Sequence, residues 1–142
     1  MRWLLLDEIV SVERRLRAKS RSRVPDAPFS PEVLMIEMMA QTGALLIGAE
    51  TDYKEDLIFA KIEEAEFEHP LSPGENLEIE VTSQDVRPAG AWLDGIIRMA
   101  GKSIAKSRFL LMNVGPLIPE NREPVSFHRD FMEHFRIREK VT

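Results

Sequence analysis

Residues 31–50 read PEVLMIEMMAQTGALLIGAE, and Glu37 is the only charge in the apolar run 33–49. An ionised carboxylate is costly to bury unless it is paired or protonated, so this glutamate needs a reason beyond solubility. Ser30 as a capping residue, Pro31 in the first turn and Glu32 near the positive end of the dipole predict a helix that starts at residue 31 and ends near Gly48 or Glu50. On it Glu37 and Gln41 lie four residues apart and share a face, forming a narrow polar notch in an apolar cylinder. Two readings of the notch stand: a catalytic or ligand-orienting carboxylate in an apolar pocket, or a buried glutamate satisfied by a basic neighbour from another element. The run approaches the ~20 apolar residues that cross a bilayer. With Glu37, Gln41 and two glycines inside it, a helix wrapped by its own protein is the better expectation, and no membrane span is expected.

The flanks supply the wrapping. Residues 3–24 alternate like a strand, and in the second half Arg15, Arg17, Lys19, Arg21 and Arg23 interleave with Leu16, Ala18, Ser20, Ser22 and Val24. Period two puts the cations on one sheet face, either a solvated face protected from aggregation by charge or a docking strip for an anionic partner. Prolines at 25, 28 and 31 make the next stretch an extended loop. Beyond the helix, strands are expected at 57–67, 76–88, 91–99 and 103–114, separated by turns at 71–74, 88–90 and 100–102. One strand, one buried helix and an antiparallel run of strands specify a curved sheet folded around a helix.

A chain of 142 residues is about one domain, and 44% hydrophobic with 30% charged residues suits a globular protein. The net charge of −5 argues against general nucleic-acid binding. The absence of cysteine excludes a disulfide framework, a thiolate nucleophile and cysteine-ligated zinc. Only Leu4, Leu5 and Leu6 precede the acidic Asp7 and Glu8, too short an apolar segment for a secretory signal, so a cytoplasmic protein is expected. His69, His128 and His134 lack metal-ligand spacing, and the scattered glycines form no phosphate-binding loop; no metal and no cofactor are expected.

Two blocks carry a resemblance: SRVPDAPFSPEVLMIEMMAQ over 22–41, and FEHPLSPG over 67–74. They resemble, in order and without a gap, the motifs GHFPGxPxMPGVLxxEAMAQ and FxxPxxPG of the 3-hydroxyacyl-acyl-carrier-protein dehydratase branch of the hotdog fold. The resemblance implies an α+β hotdog domain over 1–114, an antiparallel sheet wrapped around one long buried helix. Residues 115–142 form an extension: a connector, then an amphipathic helix with Phe127, Phe131, Met132 and Phe135 at helical spacing. The implied partner is an acyl thioester on acyl-carrier protein or coenzyme A, and the implied assembly is a homodimer or higher oligomer with pockets at the subunit interface.

The family's acid falls on Glu37 and the following amide on Gln41, while its catalytic histidine falls on Arg23 and its two loop glycines on Asp26 and Glu32. In such a dehydratase an imidazole removes the proton alpha to the thioester carbonyl, and the acid assists loss of the β-hydroxyl as water. Guanidinium stays protonated and cannot be that base, though it can bind a carboxylate, carbonyl or phosphate oxygen. Substrate contacts are implied for Pro28, Phe29, Glu32, Val33 and Gln41, and carrier docking for Arg15, Arg17, Lys19 and Arg21. Three readings follow: a dehydratase with Glu37 as acid and another base, with His69 the first candidate; a hotdog thioesterase using Glu37, with helix N-terminal amides near Glu32 holding the oxyanion; or a subunit that binds acyl chains without turning them over.

Overall fold

The computed structural model describes residues 4–68, 71–120 and 124–142, so Met1–Trp3 and, from the second motif, His69 and Pro70 lie outside the described residues. Six strands form one antiparallel sheet: β1 (Glu8–Glu13), β2 (Arg17–Arg23), β3 (Asp56–Phe67), β4 (Asn76–Thr82), β5 (Gly90–Met99) and β6 (Lys102–Gly115). Their order across the sheet is β1-β2-β4-β5-β6-β3. The helix α1 (Pro31–Gly48) lies against all six strands, which is the expected hotdog arrangement.

The start of α1 follows the local chemistry of its sequence. Ser30 Oγ accepts a hydrogen bond from the Val33 amide at 3.3 Å, Pro31 occupies the first turn and Glu32 follows. Met35, Met38, Met39, Leu45, Leu46 and Ile47 are fully buried against Leu77, Ile79, Leu93, Ile97 and Phe109 of the sheet. The helix can come close because the facing residues are small. A Cβ on Gly43 would stand 2.7 Å from Leu93 Cδ1, and β2 presents Ala18, Ser20 and Ser22. Ser20 Oγ meets Thr42 Oγ1 at 2.6 Å, so the polar atoms of that contact are satisfied within the core.

Three boundaries differ from the sequence expectation. Residues 3–24 make two strands rather than one, because the chain reverses at Arg14–Leu16: Leu16 N donates to Glu13 O at 3.0 Å and Arg15 takes φ 62. Leu16, expected on the buried side, is 49% exposed as a result. The strand expected at 76–88 stops at Thr82, where Ser83 Oγ turns back to donate to Trp92 O at 2.9 Å. The single C-terminal helix is two short ones, α2 (Arg129–His134) and α3 (Ile137–Lys140), broken where Arg136 adopts φ 53.

The turn before β5 places a strict demand on its glycine. Gly90 has φ +142, and a Cβ there would lie 2.4 Å from the carbonyl oxygen of Leu111 on the adjoining strand. Gly90→Ala is expected to destabilise the fold by about 1–3 kcal/mol from backbone strain. A lower urea midpoint with unchanged slope is the corresponding readout.

Candidate active site

Glu37, Ala40, Gln41 and Ala44 form one face of α1 and line a cavity of about 350 Å³. Leu57, Ile58 and Phe59 of β3 and Leu111 of β6 form a second side, and Val125, Ser126, Phe127 and Phe131 of the C-terminal segment form a third. The two alanines leave the space, and the surrounding walls are largely apolar.

Glu37 is half-buried, and burial pushes its carboxyl pKa above the ordinary value of 4.5, an effect partly offset by the hydrogen bond from Gln41. Gln41 is oriented from the other side: the Leu5 amide donates to its Oε1 at 3.1 Å, so its Nε2 faces Glu37 and donates to Oε1 at 3.1 Å. With Oε1 accepting, a neutral Glu37 carries its proton on Oε2, the geometry of a donor.

The raised value has a measurable consequence for folding. Well below pH 4.5 Glu37 is protonated in both folded and unfolded chains and costs nothing; as pH rises from 4.5 through the higher folded-state value, the buried carboxyl resists ionisation and stability falls. Glu37→Gln removes this dependence, so its melting temperature relative to wild type is expected to climb across that window. A difference that stays flat with pH would show that burial does not penalise the charge.

The other sequence-derived site residues lie elsewhere in the chain. Arg23 is 70% exposed at the end of β2, with Nε 3.8 Å from Asp7 Oδ2 and its backbone amide donating to the same oxygen at 2.7 Å. It does not line the Glu37 cavity, so the basic neighbour considered for Glu37 is not Arg23 of the same chain. Pro28, Phe29, Glu32 and Val33 are exposed around the start of α1, also away from the cavity. The Val33 amide is already taken by Ser30, which removes one of the helix N-terminal donors near Glu32.

Along the cationic strip, Arg17 lies 3.6 Å from Glu13 and 4.0 Å from Glu80, Lys19 is 3.6 Å from Glu80, and Arg21 is 3.3 Å from Glu8. Arg15 leaves the strip for the β1–β2 turn and pairs with Glu50 at 3.1 Å. The face therefore carries both signs, and an approaching carrier would meet a mixed field.

Of the histidines, His128 caps α2 by accepting from Asp130 N at 3.2 Å, and His134 stands edge-on to Phe135 with centroids 4.7 Å apart. Neither lines the cavity. The contribution of Val125, Ser126, Phe127 and Phe131 was missed by sequence reasoning. The spacing of the phenylalanines signalled a packed face, but not what it packs against.

A model of the FabA-like domain matches residues 22–108. The chain is 32% identical over 117 residues to the 3-hydroxyacyl-[acyl-carrier-protein] dehydratase FabZ of Herpetosiphon aurantiacus, covering 74% of this chain and 76% of that protein. The chain belongs to the FabA-like family. Among solved structures, this FabA-like chain is similar to the dehydratase heterocomplex ApeI:P from Xenorhabdus doucetiae, with TM-score 0.67 at 19% identity over 78% of this chain and 82% of the other. It is also similar to smu.793 from Streptococcus mutans UA159 bound to acetyl CoA, with TM-score 0.64 at 14% identity over 81% and 94%. At these identities the structural likeness establishes the hotdog fold. The one helix among the described residues that is long and apolar enough to cross a bilayer begins at Pro31 and is the helix this fold buries.

Proposed function

We propose that this FabA-like chain binds a 3-hydroxyacyl thioester, on acyl-carrier protein or coenzyme A, with the acyl chain in the Glu37 cavity and Glu37 as proton donor to the departing hydroxyl. The observation that carries this reading is the half-buried Glu37, tilted toward its neutral form in the wall of an apolar cavity and aimed by Gln41. In the elimination, the Cα–H bond breaks toward a base, the Cα–Cβ double bond forms, and the hydroxyl leaves Cβ as water with the proton from Glu37. Arg23 cannot be that base, so the purified chain is expected to dehydrate such thioesters slowly or not at all. The protein would work in the cytoplasm.

Assembly belongs to the same reading. β3 is an edge strand of 12 residues, exposed along nearly its whole length, with Ile58, Phe59 and Ile62 on the surface beside the cavity. An edge this long and apolar is a template for pairing, and a second chain added there would roof the cavity. Light scattering at micromolar concentration is expected to give a dimer or a multiple of it; a monomer mass would count against self-pairing.

A second reading is that the partner along β3 is a different, histidine-bearing chain. Among the described residues the cavity offers an acid and an amide without an imidazole, and ApeI:P is a dehydratase built as a heterocomplex. Dehydration that appears only on mixing with such a partner, and a monomeric chain alone, would favour it.

A further inference from the structure

Part of the wall of the cavity beside Glu37, formed by Val125, Ser126, Phe127 and Phe131, lies beyond the matched domain. Along α1 the lining runs from Glu37 through Ala40 to Ala44, and one turn further on Phe127 Cζ stands 2.6 Å from where a Cβ on Gly48 would be. From residue 37 to residue 48 the helix advances about 16 Å at its usual rise per residue. Phe127 is held rigidly there: it is 4% exposed and meets Tyr53 edge-to-face with centroids 5.1 Å apart.

The segment that carries Phe127 is fixed by a buried carboxylate. Asp56, 1% exposed at the start of β3, accepts from Ser126 N at 2.6 Å through Oδ1 and from Leu117 N at 2.9 Å through Oδ2. The Leu57 amide in turn donates to Ser126 Oγ at 3.1 Å. Two points of the chain after β6 are thereby hydrogen-bonded to the strand that forms the opposite wall. The apolar contacts of Phe127 and Phe131 alone would leave the segment free to slide; the directional bonds to Asp56 set its position.

We infer that Phe127, positioned by Asp56, is the acyl-length stop of this site: a chain whose thioester end lies at Glu37 runs along Ala40 and Ala44 and ends against that ring. The inference rests on the acyl-thioester reading and adds the residue that limits the substrate. Short and medium chains fit between the acid and the stop, and longer ones are rejected by overpacking.

Calorimetric binding of S-alkyl pantetheine thioethers, from butyl to hexadecyl, tests it on the full chain. Wild-type affinity is expected to rise with length, reach an optimum and fall. In Phe127→Leu the ratio of hexadecyl to hexyl affinity rises by about tenfold or more, and in Ala44→Leu, which narrows the path, it falls by a comparable factor. Thermal melts identify any variant that fails to fold, and Phe127→Met, which removes the ring but keeps most of its bulk, decides the matter if Phe127→Leu does not fold. A length profile unmoved in the folded variants overturns the stop while leaving acyl binding in place. No binding of any thioether by the wild type removes the acyl-thioester reading and the stop together.

Discussion

Arg23→His is expected to raise the dehydration of 3-hydroxyacyl thioesters by about 10²–10⁴-fold, the usual worth of a positioned general base. Residue 23 stands at the family's base position, fourteen residues before Glu37, and the proline-rich loop between them keeps the family's length. The structure refines the condition. Residue 23 is exposed and does not line the cavity of its own chain, so a histidine there can serve only a Glu37 brought to it by a second chain. The gain is therefore expected to depend on protein concentration through the dimerisation range. Asp7 favours the substitution, since its carboxylate already lies beside the backbone and guanidinium of residue 23 and can hold an imidazole by its other nitrogen. Asp26 and Glu32, in place of the family's loop glycines, oppose the negative charge that develops on the thioester and set the gain toward the lower end. Formation of the conjugated enoyl thioester, followed by its absorbance, is the measurement. Efficient turnover by the wild type would show that another residue supplies the base, with His69 the first to mutate.

Glu37→Gln, in the Arg23→His background or in a complex with a histidine-bearing partner, is expected to lower that activity by about 10²–10⁴-fold. The amide keeps the shape of the acid and can still accept from Gln41, but it has no proton of suitable acidity for the departing hydroxyl. A structural role for Glu37 would give a different pair of results, with activity and stability falling together. The chemical role predicts lost activity with stability kept or improved toward neutral pH, because an uncharged amide replaces a carboxyl that burial disfavours as an anion. Thioester hydrolysis without dehydration, abolished by the same substitution, would move the assignment to a hotdog thioesterase. Acyl binding with neither reaction would leave a non-catalytic acyl-binding subunit.

How much of this was legible beforehand depends on how far apart along the chain the deciding groups lie. Ser30, Pro31 and Glu32 define the start of α1 because a helix cap is completed within three residues, and the Glu37–Gln41 notch is visible because one helical turn brings the two side chains together. The alternation in β2 was likewise readable, and Ala18, Ser20 and Ser22 are indeed the buried side. The motif blocks added the fold, since they bind loop, helix and turn into one order.

The remaining features needed the register of distant segments. Lys19 meets Glu80 only because β2 pairs with β4 at that offset, and this pairing turns an apparently basic strip into a mixed face. Arg23 goes to Asp7 rather than to Glu37 because it stands exposed at the C-terminal end of β2, whereas α1 points the acid into the cavity. Phe127 joins the Glu37 cavity because Asp56 captures Ser126 across seventy residues of chain. By itself the sequence determined a capped apolar helix with one acid on it, and a sheet to wrap it, because these rest on periodicity and on bonds within a turn. Which cations are free, where the family's base position faces and what closes the acyl cavity were decided by the tertiary structure, because each depends on a contact between residues whose separation along the chain no local pattern encodes.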